Sequence, residues 1–148
     1  MKKFLFVDDH SMVRAGLITI LSSEYEDAEY YEAENEKQAV ALVNRHLFSL
    51  IIMDINLPNS DSTQLLQTIL AVQPSTPVLI LSMNDEISFA RRFLKLGSKG
   101  FVHKSADAGE ILIAVRTLLQ NELYMSDVLK SLYCNLMSRT PTIILLNR

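Results

Sequence analysis

Leu50-Ile51-Ile52-Met53-Asp54-Ile55-Asn56-Leu57-Pro58 is an apolar run that delivers one carboxylate and then breaks at a proline. Four consecutive apolar residues without polar alternation predict a strand buried on both faces, the pattern of a central strand in a parallel sheet. Asp54 then falls at the carboxyl end of that strand. In an open α/β sheet this is the end where ligands bind.

Working outward, Phe4-Leu5-Phe6-Val7 is a second apolar run, and it ends on the pair Asp8-Asp9. From His10 the period changes: Met12, Val13, Leu17, Ile20 and Leu21 recur at helical spacing up to about Ser22. Ala28 to Ala33, with Tyr30 and Tyr31 between Glu29 and Glu32, predicts a more polar strand suited to a sheet edge. Asn35 with Gln38 three residues later resembles a capping box, continued by Ala39, Leu42, Val43 and Leu47.

Beyond Asp54, Pro58-Asn59-Ser60 reads as a loop and Leu65, Leu66, Ile69 and Leu70 as a helix face ended by Pro74 and Pro77. Val78-Leu79-Ile80-Leu81 is a third wholly apolar strand, ending at Ser82. Asn84 or Asp85 is the expected cap of a helix carrying Ile87, Ala90, Phe93 and Leu94, and Gly97 its stop. Gly100 to His103 predicts a short fifth strand ending at Lys104, and Ile111, Val115, Leu118 and Leu119 a fifth helix. Five strands alternating with five helices predict a doubly wound α/β fold, a five-stranded parallel sheet with helices on both faces.

At 148 residues the chain is long enough for one domain with a short appendage. A composition of 49% hydrophobic and 21% charged residues is that of a packed protein, not a disordered one. The formal charge of −3 argues against a direct grip on DNA or RNA. Cys134 is the single cysteine, which excludes an intramolecular disulfide and fits a reducing, cytoplasmic compartment. Asp8 and Asp9 cut short any signal-peptide core after Phe4–Val7, and no apolar run approaches the ~20 residues of a membrane span.

Asp8, Asp9, Asp54, Ser82 and Lys104 each lie at or just past the end of a strand, so parallel strands would bring them to one rim. Singly, an Asp after a strand is usually a turn or capping residue and a Lys is usually solvated; the shared topological position is what singles these out. Two carboxylates ~4 Å apart repel by roughly 4 kcal/mol at an effective dielectric of about 20, and one lysine does not offset three acids. A hard divalent cation does, and with no His or Cys cluster expected beside the acids the pattern favours Mg²⁺ over Zn²⁺. Asp54 is then read as a nucleophile that takes a phosphoryl group as an acyl phosphate, with Ser82 donating to a phosphoryl oxygen.

Val7-Asp8-Asp9-His10, Met53 to Pro58, Leu81-Ser82-Met83 and Gly100-Phe101-Val102-His103-Lys104 together resemble the receiver domain of bacterial two-component response regulators, over about residues 3 to 120. The opening Asp8-Asp9-His10-Ser11-Met12-Val13-Arg14-Ala15-Gly16-Leu17 looks most like the NarL/FixJ/LuxR-like branch, whose members carry a C-terminal helix-turn-helix. The resemblance implies a flavodoxin-like strand order 2-1-3-4-5. It also implies Asp54 as phosphoacceptor, Asp9 as a direct Mg²⁺ ligand, Asp8 as a ligand through water and the Asn56 backbone carbonyl as a further ligand. Ser82 and Lys104 would contact the phosphoryl group. Phe101 would be the aromatic that turns inward as the loop after the fourth strand is drawn in, a role compatible with an ordinary core position. His103 before the lysine and Ser105 after it are less typical, and without a proline at 105 a cis peptide after Lys104 is less expected.

The expected organisation is a receiver over residues 1–122, followed over 123–148 by a linker and the start of a truncated C-terminal DNA-binding domain. Ser126 would cap a helix with Val128, Leu129, Leu132, Tyr133, Leu136 and Met137 on one face, either a linker packed on the domain or a dimerisation strip. Residues 138–142 read as a hinge before the apolar segment Ile143 to Leu146. The implied function is that of a non-enzymatic, phosphorylation-activated switch. A sensor histidine kinase loads it, a homodimer forms on phosphorylation, and DNA is reached only through the domain beyond this chain. Alternatives are a stand-alone receiver acting by protein contacts, or a phosphatase with an Asp nucleophile. Haloacid-dehalogenase-like enzymes place a second Asp where this chain has Asn56, and no Gly-rich loop supports a nucleotide site.

Overall fold

A computed structural model describes residues 1–83, 87–127, 129–131 and 134. In chain order the elements are β1 (Lys3–Val7), α1 (Ser11–Ser22), β2 (Glu29–Ala33), α2 (Glu36–Arg45), β3 (Leu50–Asp54) and α3 (Ser62–Val72). They continue with β4 (Val78–Ser82), α4 (Ile87–Leu96), β5 (Gly100–His103), α5 (Ala108–Leu119) and β6 (Tyr124–Met125). The strands form one parallel sheet in the order β2-β1-β3-β4-β5-β6.

The sheet is buried on both sides because its strands alternate between two apolar layers. Phe4, Phe6, Leu50, Ile52, Leu79, Leu81 and Val102 pack against Leu17 and Leu21 of α1 and Ile111, Val115 and Leu118 of α5. Leu5, Val7, Ile51, Met53, Val78, Ile80 and Phe101 pack against α2, α3 and α4 through Ala39, Val43, Leu65, Leu66, Ile69, Ala90 and Phe93. The polar β2 lies at the edge, as expected from its glutamates.

Local signals act where they were read. Asn35 accepts from the Gln38 amide at 2.8 Å, while the Gln38 side chain reaches past the cap to the Glu34 amide at 2.9 Å. Gly97 ends α4 at φ +115°, a conformation costly for any residue with a Cβ; that Cβ would also meet Leu70 Cδ1 at 2.8 Å.

One expectation is revised. The sheet has a sixth strand: Tyr124 and Met125 pair with Gly100 and Phe101, so β5 is not an edge. Leu129 beyond it is buried in the core at 2% exposure. Tyr124-Met125 is too short to carry a strand signal; Gly100 opposite it has no room for a side chain, since a Cβ there would meet Leu79 Cδ1 at 2.7 Å and Leu118 Cδ1 at 2.9 Å. The cap expected at Asn84 or Asp85 lies outside the described residues. So do Val128, Leu132, Tyr133, Leu136 and Met137 of the expected tail helix, the hinge at 138–142 and the end of the chain. Residues 127, 129–131 and 134 are helical.

Candidate functional site

The strand alternation that builds the core also aims the acids. Asp54 continues the parity of Leu50 and Ile52, Asp8 that of Phe4 and Phe6, and Lys104 that of Val102, so all three leave the sheet on the α1/α5 side. The ladder extends one residue past β1 and β5 to hold them there: the Asp8 amide donates to Ala33 at 3.0 Å and the Lys104 amide to Ser82 at 2.8 Å.

Lys104 Nζ lies 2.9 Å from Asp54 Oδ2 and 3.2 Å from Asp8 Oδ2, at a point where the Asp54 side chain is 0% and the Asp8 side chain 2% exposed. The other Asp54 oxygen accepts from the Asn56 amide at 2.9 Å. Burial pulls the Lys104 ammonium toward its neutral form, but hydrogen bonding to Asp54 and the charges of Asp54 and Asp8 outweigh it, so its pKa stands above the ordinary lysine value.

Two residues absent from the sequence-derived site complete the rim. Arg14 of α1 is buried; its Nη1 donates to the Asp8 carbonyl at 2.6 Å and its Nε to Glu32 at 2.9 Å, fixing the backbone that carries Asp8. His10 places Nδ1 3.0 Å from Asp8 Oδ1 and 3.2 Å from Asp9 Oδ1. No cluster of His or Cys stands beside the acids among the described residues, but this one histidine does. The signal was present, since a His directly after two strand-end acids has little freedom to leave them; its own amide is held by Asp8 Oδ1 at 2.8 Å.

The rim suits a hard divalent cation. Asp8 Oδ2 and Asp9 Oδ1 are buried oxygens met only by ion-pair contacts, Lys104 Nζ at 3.2 Å from the first and His10 Nδ1 at 3.2 Å from the second, and one ligand atom from each of Asp8, Asp9, His10 and Asp54 fits within 4.8 Å of the others. Three acids sharing two such groups remain short of positive charge, which a divalent cation on their oxygens would supply. Among the described residues, Lys104 and His10 are the groups that reach these oxygens.

Ser82 ends β4 and is fully buried, beside β5. Phe101 is already inside: it is 0% exposed and packs in the layer beneath α4. That is a core position, with which the role implied by the resemblance is compatible. His103 Nδ1 accepts from the Ser105 amide at 3.1 Å, which leaves Nε2–H to donate to the Met83 carbonyl at 2.9 Å. That bridge ties β5 to the segment after β4, and it explains how a polar residue is held before Lys104. The peptide after Lys104 is trans.

Three comparisons bear on this rim. The family model described as "Response regulator receiver domain" matches residues 4–116. The transcriptional regulatory protein DegU of Brevibacillus brevis is 31% identical over 123 residues, covering 83% of this chain and 52% of that protein. The chain spans about half the length of that curated relative. Among solved structures, a LuxR-family two-component response regulator from Aurantimonas sp. SI85-9A1 superposes with a TM-score of 0.81 at 26% identity, over 87% of this chain and 92% of that one. A Burkholderia pseudomallei response regulator, solved with a phosphorylated aspartic acid, a calcium ion and citrate, is also similar. Its TM-score is 0.71 at 26% identity, over 82% of this chain and 70% of that one. No helix among the described residues is long and apolar enough to cross a membrane.

Proposed function

The chain belongs to the response regulator receiver domain family, in its NarL/FixJ/LuxR-like branch, and from that premise we propose that it is a phosphorylation switch with Asp54 as its phosphoacceptor. The observation that carries this reading is the pairing of a buried Asp54 with Lys104 at the carboxyl end of the sheet, next to two further acids.

In the proposed step, a carboxylate oxygen of Asp54 attacks phosphorus on the phosphohistidine of a sensor kinase. The P–O bond forms as the P–N bond breaks, and the imidazole leaves with the bonding pair. Asp8, Asp9, Asp54 and the Asn56 carbonyl would hold Mg²⁺, which when bound offsets the charge of the phosphoryl oxygens. Lys104 exchanges its contact with Asp54 for one with a phosphoryl oxygen. The Ser82 hydroxyl donates to another.

Because the step consumes the positive partner of Asp54 and draws on Ser82, it shifts the segment after β4 and the surface of α4, β5 and α5. Phe101 then reports the change by its packing. The output in this reading is control of transcription by a homodimer, through a helix-turn-helix domain beyond residues 1–148, in the cytoplasm. The names of DegU and of the LuxR-family neighbour support that assignment. The protein is a signalling switch and not a turnover enzyme.

Intact mass after incubation with acetyl phosphate and Mg²⁺ tests the reading. A gain of one phosphoryl mass is expected, absent in Asp54→Asn and in a chelator control. Label on Asp54→Asn equal to that on the wild type overturns the assignment.

A further inference from the structure

The acids at the end of β1 share their space with an imidazole. His10 occupies the N-cap position of α1 with extended backbone, φ −96° and ψ 108°, yet its side chain makes no capping bond. Instead the ring turns back over the rim, with Nδ1 3.0 Å from Asp8 Oδ1, 3.2 Å from Asp9 Oδ1 and 3.5 Å from Lys104 Nζ. The hydrogen bond that the His10 backbone amide donates to Asp8 Oδ1 at 2.8 Å clamps the root of the side chain, so Nδ1 has a short radius in which to move.

Neighbouring donors on a six-coordinate ion with bonds of about 2.1 Å stand roughly 3 Å apart. The spacings from Nδ1 to the two carboxylate oxygens match that edge length. Asp8 Oδ2 and Asp9 Oδ1, buried oxygens met only by the contacts with Lys104 and His10 at 3.2 Å each, are on the same two residues. Building on the reading of this rim as a divalent-cation site, we propose that His10 is a metal ligand through Nδ1, and that it turns the site's preference from Mg²⁺ toward first-row transition ions. Imidazole nitrogen adds little for Mg²⁺, which favours oxygen, but binds Co²⁺ and its neighbours well. Ligation needs the Nδ1 lone pair, so the ring binds as the Nε2–H tautomer and gives up its Nδ1 contact with the carboxylates. A side chain 61% exposed makes that exchange without opening the core.

The test is calorimetric titration of the unphosphorylated full chain with MgCl₂ and with CoCl₂, with the visible Co²⁺ spectrum recorded in parallel. Wild type, His10→Ala and His10→Asn are compared, and His46→Asn and His103→Asn control for cobalt held elsewhere. The expected result is Co²⁺ binding at least about tenfold tighter than Mg²⁺ in the wild type, with that ratio falling about tenfold in both His10 variants while Mg²⁺ affinity changes less than about twofold. An unchanged ratio, or an equal change for both ions, overturns the role of His10. Absence of Mg²⁺ binding to the wild type overturns the cation-site reading itself. Circular dichroism of the His10 variants, expected to match the wild type, separates loss of ligand from loss of fold.

Discussion

Lys104 Nζ stands 2.9 Å from Asp54 Oδ2, and the two residues are 50 positions apart in the chain. The lysine is deeply inserted in the rim, its side chain 10% exposed, and it holds in place the carboxylate that, in the proposed switch, it would release to a phosphoryl group. Competition between those two partners is the physical core of the proposed switch.

Replacing that lysine exposes the balance. Lys104→Met leaves Asp54 and Asp8 facing each other without a buried counter-charge, and the expected loss is about 3 kcal/mol by urea unfolding at pH 7. Added Mg²⁺ is expected to recover part of it by supplying the missing charge.

Cation binding should be visible as stability. At a Mg²⁺ concentration 100 times its dissociation constant, the folded state gains ~2.7 kcal/mol, read as a rise in Tm by scanning calorimetry. Asp8→Asn is expected to remove most of that rise. A Tm increment equal to that of the wild type would count against Asp8 as a ligand.

Arg14 acts on the site from behind. Its guanidinium joins the Asp8 carbonyl to Glu32, so Arg14→Met breaks two charge-assisted bonds at a buried position. A loss of roughly 2 kcal/mol in stability is expected, together with a several-fold weaker Mg²⁺ affinity although Arg14 touches no ligand oxygen. Mg²⁺ titration of the variant under conditions where it is fully folded checks the second effect.

Alkaline pH should weaken the fold through β6. Burial, then the hydrogen bond to Glu110 at 3.0 Å, pushes the Tyr124 hydroxyl up to about 12. Lys104 also titrates above its ordinary value, burial lowering it but Asp54 and Asp8 raising it more. A raised folded pKa contributes stability that is fully present below the unfolded value, ~10 for both groups, and is lost as pH rises through the folded one. Wild-type stability is therefore expected to fall between pH 10 and 12. In Tyr124→Phe the fall should be shallower by about 1 kcal/mol, measured by urea unfolding across that range.

Most of the rim was legible because each of its members sits where an apolar run stops. Asp8, Asp54, Ser82 and Lys104 are adjacent in sequence to Val7, Met53, Leu81 and His103, and burial of those runs leaves the next residue at the strand mouth. His10 and Arg14 were missed as site residues for a different reason. Arg14 belongs to the helical pattern of α1 and His10 stands at its N-cap, where polar residues are ordinarily solvated or capping; Glu32 of β2 and the Asp8 carbonyl draw Arg14 in, and the adjacent acids hold the half-exposed His10 ring over the rim. β6 was missed because a two-residue strand has no periodicity to read.

The sequence by itself determined the strands β1 to β5, the face on which each side chain leaves them and the carboxylate at the end of β3. These depend on local backbone geometry and on hydrophobic alternation, which act over a few residues. Tertiary structure alone decided that Lys104 serves both Asp54 and Asp8, that the His10 ring lies over the acids, that Phe101 is already inside and that Tyr124 extends the sheet. Such relationships join residues tens of positions apart. Their energies come from charge and burial at a contact that exists only once the strands have taken their order.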